Sequence, residues 1–92
     1  MSFLVPNLPG TWRGSPFALG QRYRVIAAAR SYSGSLVVGE VLKYFGASYG
    51  IHEEVSVYVF VNDDGQERTW LVYDDDPLEA WSSVFQPVEN AG

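Results

Sequence analysis

The 92-residue chain contains no cysteine, and histidine, lysine and methionine occur once each. Without thiols there is no disulfide framework, no thiolate zinc site and no cysteine nucleophile. His52 alone cannot build a multi-histidine metal centre. Charged residues make up only 18% of the chain, and no cluster of Lys and Arg exists to neutralise phosphates, so nucleic acid is not an expected partner. No stretch approaches the roughly 20 consecutive apolar residues of a membrane-spanning helix. The start, Met1-Ser2-Phe3-Leu4-Val5-Pro6, lacks a basic region, and Pro6 and Pro9 interrupt it. Neither a signal peptide nor a membrane anchor is expected there. With the missing cysteines, that points to a cytoplasmic setting. Gly10, Gly14 and Gly20 are not followed by the Lys-Ser/Thr of a phosphate loop. Serines and aspartates are available to join His52 in a hydrolytic triad, but nothing in their spacing places them together. The expectation is a protein that is not an enzyme and carries no cofactor and no metal.

What is present is apolar and aromatic: 47% hydrophobic residues and 15% Phe, Trp and Tyr. This suits one small domain whose core must come from the chain itself. Residues 1–19 are dense in Pro and Gly and read as an irregular arm, with Trp12 and Phe17 able to dock it onto the body. Residues 22–29 alternate as a first strand, and residues 39–49 form a second, in which Gly46 suggests a bulge. Residues 55–62, with valine at every odd position from 55 to 61, form a third strand. Asp64-Gly65 marks a hairpin turn into a fourth at 66–73. Asp76-Pro77-Leu78-Glu79 resembles a capped helix start, with Leu78, Trp81 and Phe85 on one face. A last strand runs over 84–88 with Pro87 marking a sheet edge. Five short strands joined by turns, with a helical turn before the last, predict an all-β, SH3-like, five-stranded small antiparallel barrel over 20–88 and a tail at 89–92.

Three segments carry a resemblance: Gly20-Gln21-Arg22-Tyr23-Arg24-Val25, Gly39-Glu40-Val41-Leu42 followed by Tyr44, and Asp64-Gly65 with the late Phe85. Together they resemble an uncharacterised bacterial SH3-like small-barrel domain family with a Gly-x-x-Tyr-x-Val and Gly-Glu-x-Leu pattern. The resemblance covers roughly residues 20–88. It implies a fold and no catalytic residue.

The charge is uneven. Residues 1–30 carry Arg13, Arg22, Arg24 and Arg30 and no acid, whereas residues 31–92 carry Lys43 and Arg68 against all eleven acids, for a net −5. One reading has the first strand's arginines paired with acids across the sheet; the other has an acidic face that attracts a basic partner. Asp74-Asp75-Asp76 and Asp63-Asp64-Gly65 lack the ligand spacing of a calcium loop, so one of the three late aspartates is expected to cap the helix and the others to face solvent or a partner. His52, beside Glu53 and Glu54, is expected to be an exposed loop residue. A small barrel cannot bury both the valines and the aromatics of an alternating strand, so some aromatics should remain exposed or lie beneath the arm.

These features point to a non-enzymatic protein-interaction domain, such as a small bacterial or phage inhibitor or immunity protein, that holds a basic protein partner through Tyr32, Tyr49, Glu53, Glu54, Asp75 and Trp81. The alternatives are a peptide- or small-ligand-binding barrel and a structural subunit that forms a homodimer through an edge strand.

Overall fold

The computed structural model describes residues 10–29 and 36–88. Five strands form one antiparallel sheet in the order β4-β3-β2-β1-β5: β1 (Arg22–Val25), β2 (Val41–Gly50), β3 (Val55–Val61), β4 (Glu67–Tyr73) and β5 (Phe85–Val88). A 3₁₀ turn at Leu78–Ala80 runs directly into a single helical turn, α1 (Trp81–Val84), which delivers the chain to β5. This is the small all-β, barrel-like fold expected from the sequence. No helix among the described residues is long and apolar enough to cross a membrane.

The sheet curls because β2 is long and bent. Its first residues pair with β1 (Arg22↔Lys43, Arg24↔Val41), and the stretch from Lys43 to Gly50 pairs with β3. The register slips by one between Tyr44↔Phe60 and Gly46↔Val59, leaving Phe45 without a partner across the ladder. Gly46, with φ 148°, supplies the backbone conformation of this bulge, and a bulge bends its strand and increases the local twist.

Several boundaries differ from expectation. β1 stops at Val25 rather than 29, because the Ile26 N–H turns to the Val84 carbonyl at 2.7 Å and the chain leaves the sheet. The Asp64-Gly65 turn is not the mirror-image type that the dipeptide suggests. Only Gly65 has positive φ, at 83°. The loop from Asn62 to Gln66 is organised by the Asn62 side chain, whose Oδ1 accepts from the N–H groups of Asp64 and Gln66. The expected capping box does not form either. Pro77 occupies the N-cap position in an extended conformation, with no side-chain cap. Asp76 instead turns its carboxylate back to accept the Tyr73 N–H at 3.1 Å. Phe85 starts β5 rather than ending a helical face.

The core is aromatic. Tyr23, Tyr44, Tyr58, Phe60, Trp70 and Phe85 are all buried. At its centre lies Phe17, 6% exposed, contributed by the arm and not by the sheet. Its ring meets those of Tyr23, Tyr44, Tyr58, Phe60, Trp70, Trp81 and Phe85 at centroid separations of 5.0 to 5.9 Å. Most of these pairs are edge-on, the arrangement favoured by aromatic quadrupoles. The tyrosine hydroxyls hold the same segment from below: Tyr58 donates to the Gly14 carbonyl at 2.9 Å, and the Tyr23 oxygen accepts the Ala18 N–H at 2.9 Å. The strand residues that face the other way are not left bare, for Val55, Val59 and Leu71 are buried too.

Candidate functional site

Phe17 and the sheet together bury most of the aromatics that the sequence leaves in surplus, so any recognition surface has to use what remains outside. Two large apolar side chains stand out near acids. Trp12 is 67% exposed and Ile51 73% exposed.

Three segments converge at this end of the barrel. The β2–β3 connection is the tight turn of residues 51–54, which carries Ile51, His52, Glu53 and Glu54, all exposed. Glu54 has φ 56°, the one positive value at a non-glycine among the described residues. Its carbonyl accepts the Asp74 N–H at 2.9 Å, which fastens the turn to the end of β4. Glu53 folds back over Gly50: a Cβ added there would sit 2.8 Å from Glu53 Oε1. The third segment is the arm, tied down by the Gly10 N–H to the Ala47 carbonyl at 2.7 Å and by Thr11 Oγ1 to Ser56 Oγ at 2.7 Å.

Asp74 joins the three. It accepts Trp12 Nε1–H at 3.2 Å on one carboxylate oxygen and the Tyr49 hydroxyl at 2.7 Å on the other. That bond to Asp74 holds the Tyr49 hydroxyl protonated above the ordinary tyrosine range, since ionisation would set two anions together. Arg13 donates from Nη1 to the Tyr73 carbonyl at 3.1 Å and lies 5.6 Å from the Trp12 ring centroid, a cation–π contact that steadies the indole. The outcome is a pre-formed surface in which an exposed indole and isoleucine are flanked by Glu53, Glu54, Asp74 and Asp75.

Of the residues singled out from sequence, Tyr49, Glu53, Glu54 and Asp75 belong to this end, the last three with exposed side chains. Trp81 does not present a free face as expected: it is half-buried, packed on Phe17 and Tyr23. Tyr32 lies outside the described residues. Trp12 and Ile51 are not among the residues singled out from sequence, and both are exposed at this end. Of the two aromatics expected to dock the arm, Phe17 enters the core, while Trp12 stays largely exposed with its Nε1–H on Asp74; Ile51 lies in the turn whose acids the sequence singles out. None of the three late aspartates caps a helix. Among the described residues no group of three or more His, Cys, Asp or Glu could hold a metal ion.

Gly46-Ala47-Ser48-Tyr49-Gly50 has the spacing Gly-x-Ser-x-Gly, but it lies within β2 with Ser48 opposite Val57. A nucleophile elbow requires a sharp turn from strand to helix. The arginines of β1 are also not paired with acids across the sheet. Arg22 faces Lys43 and Val88, and Arg24 faces Val41 and Gln86. Among the described residues, Arg68 Nε pairs with Glu40 Oε1 at 3.2 Å.

No family model matches the chain, and no curated protein matches it. A solved structure does. An integron cassette protein from the mobile metagenome of Vibrio cholerae aligns with a TM-score of 0.66 at 20% sequence identity, covering 88% of this chain and 93% of that one. At that level of identity the likeness is one of fold, and it extends over nearly the whole length of both chains.

Proposed function

We propose that this chain is a non-catalytic protein-interaction domain that holds a basic partner against the acidic, tryptophan-bearing end of the barrel. The observation that carries the reading is the pairing of Trp12 and Ile51, 67% and 73% exposed, with the carboxylates of Glu53, Glu54, Asp74 and Asp75. Apolar anchors supply affinity when a partner buries them, and a rim of one charge speeds encounter and selects the partner's sign. Trp is the residue type most enriched among such anchors. The groups at this end are engaged with one another rather than poised for chemistry: Asp74 accepts two side-chain donors and Asp76 accepts a backbone N–H. A small inhibitor or immunity protein working in the cytoplasm would need nothing more than such a face.

The test compares immobilised wild-type chain with two variants, Glu53→Lys/Glu54→Lys/Asp75→Lys and Trp12→Ala, in capture from a lysate of the source cell. The expected result is a basic protein retained by the wild type at low salt, released at about 0.5 M salt where the Debye length falls to a few ångströms, and lost from both variants. Capture that is indifferent to charge reversal and to salt overturns the reading.

A further inference from the structure

The acidic end is not the sole concentration of charge. Arg22 and Lys43 are direct neighbours across the β1–β2 ladder, and Arg24 follows on the same face of β1. All three are exposed, and among the described residues none of them forms an ion pair. Like charges directly opposite each other destabilise a sheet, and this chain has eleven acids from which a partner could have been drawn. The arrangement makes physical sense if the cations are directed at something else.

The surface beside them is concave. A cleft of about 470 Å³ opens between the arm and the bent part of β2, walled by Thr11, Ser15, Phe17, Leu19, Tyr44 and Phe45, with no charged side chain among the described residues that line it. A second, of about 250 Å³, shares Leu19, Tyr44 and Phe45 with the first and adds Lys43. A third, of about 300 Å³, shares Lys43 and Phe45 with the second and adds Arg22, Val61, Asn62 and Asp63. Phe45, the residue displaced by the bulge, lines all three. The sequence of walls runs from apolar through mixed to cationic. Among the described residues Asp63 is the one acid along it, set against two cations, and Leu19 stands 73% exposed at the junction.

We propose that this groove binds a small organic anion with an apolar body, its chain or ring lying between Leu19 and Phe45 and its carboxylate at Lys43 and Arg22. The volume of the first cleft lies within the roughly 300–1,000 Å³ of small-molecule sites, and a neutral wall with a few directed polar groups at one end is their usual composition. The uncharged wall accepts the apolar body without desolvating an ion, while the two cations select the sign of the head. This site is separate from the acidic end and does not depend on the role proposed for it.

The probes are decanoate, decanol, decyltrimethylammonium and inorganic phosphate, titrated into the full chain and followed by amide chemical shifts and calorimetry. Decanoate should bind about fivefold more tightly than decanol, the scale that exposed charge pairs supply, and should shift the amides of Leu19, Lys43 and Phe45. Decyltrimethylammonium should bind more weakly than decanol. In Arg22→Gln/Lys43→Gln the preference for the anion should vanish while decanol binding persists. That variant relieves a like-charge pair and should melt no lower than the wild type. Leu19→Ser, at a largely exposed position, should weaken decanoate and decanol alike without unfolding the chain. Failure of decanoate to bind at millimolar concentration, a preference for the ammonium, or phosphate competing as well as decanoate would each overturn the proposal.

Discussion

Replacing Phe17 by alanine tests the claim that the arm is part of the core. The ring is 6% exposed and meets seven others within 5.9 Å. Removing it forfeits the transfer free energy of a buried aromatic and leaves a hole that seven side chains fixed in a sheet or helical turn are poorly placed to fill. Such truncations cost about 3–5 kcal/mol. A chain of this length has roughly 5–14 kcal/mol of stability, so the loss takes a large share of it. For a domain of this size each kcal/mol lowers the melting temperature by about 4–8 °C, and the variant should melt roughly 12–40 °C below the wild type. The assay is urea and thermal unfolding followed by far-ultraviolet circular dichroism. Near-ultraviolet dichroism should report loosening of the tyrosine and tryptophan environment at low denaturant. Trp12→Ala, which removes an exposed indole from the same arm, is the comparison and should cost under about 1 kcal/mol. A Phe17→Ala variant within about 1 kcal/mol of the wild type would refute the reasoning, because it would place the ring outside the core.

Three further outcomes are expected. Glu54 sits at φ 56°, so Glu54→Gly should raise stability by about 0.5–1 kcal/mol in urea unfolding through release of left-handed strain, while weakening capture of a basic partner; a loss of stability would show that the side chain has a structural role. Burial raises the pKa of Tyr44 and of Tyr58. Because the unfolded chain then releases these protons first, stability should be level up to about pH 9 and fall as pH climbs above about 10. Tyr44→Phe should flatten that fall, and a stability that rises with alkaline pH would contradict the assignment. Glu40 accepts from Arg68 and from Asn62 Nδ2 at 3.0 Å, joining the start of β2 to the end of the β3–β4 hairpin. Glu40→Gln should therefore cost about 0.5–1 kcal/mol, less in 0.5 M salt, in chemical denaturation; a cost unchanged by salt would show that charge is not its source.

The strands were legible because their signals are local. Valine at alternate positions from 55 to 61 and Asn62-Asp63-Asp64-Gly65 after them leave little but a hairpin. The bulge at Gly46 could be read for the same reason. The errors arise where a residue's role is decided at long range. Phe17 reads from sequence as a residue that docks the arm, but nothing near it says that its ring will stand at the centre of a cluster reaching to Phe85. Asp76 has the neighbours of a helix cap, but its carboxylate accepts the Tyr73 N–H. Charge pairing failed in the same way: composition suggested that the arginines of β1 would meet acids, whereas the register sets Arg22 against Lys43. The acids of the candidate surface could be chosen from sequence because a turn between strands exposes them. Trp12 could not, since its exposure depends on Phe17 having taken the interior position.

The position of β1 between β2 and β5 has a consequence for how the chain comes into being. Its second partner is β5, with Val88 against Arg22 and Phe85 against Val25, the last of the five strands in chain order. Until then the β1 edge is open, and the ring of Phe17 lacks Trp81 and Phe85. A ribosome delivering this chain from its N-terminus therefore releases a complete hairpin before it releases the means to close the sheet. Native closure waits for β5, is paced by contacts between distant parts of the chain, and belongs to the slower, millisecond-to-second class of small β-domains.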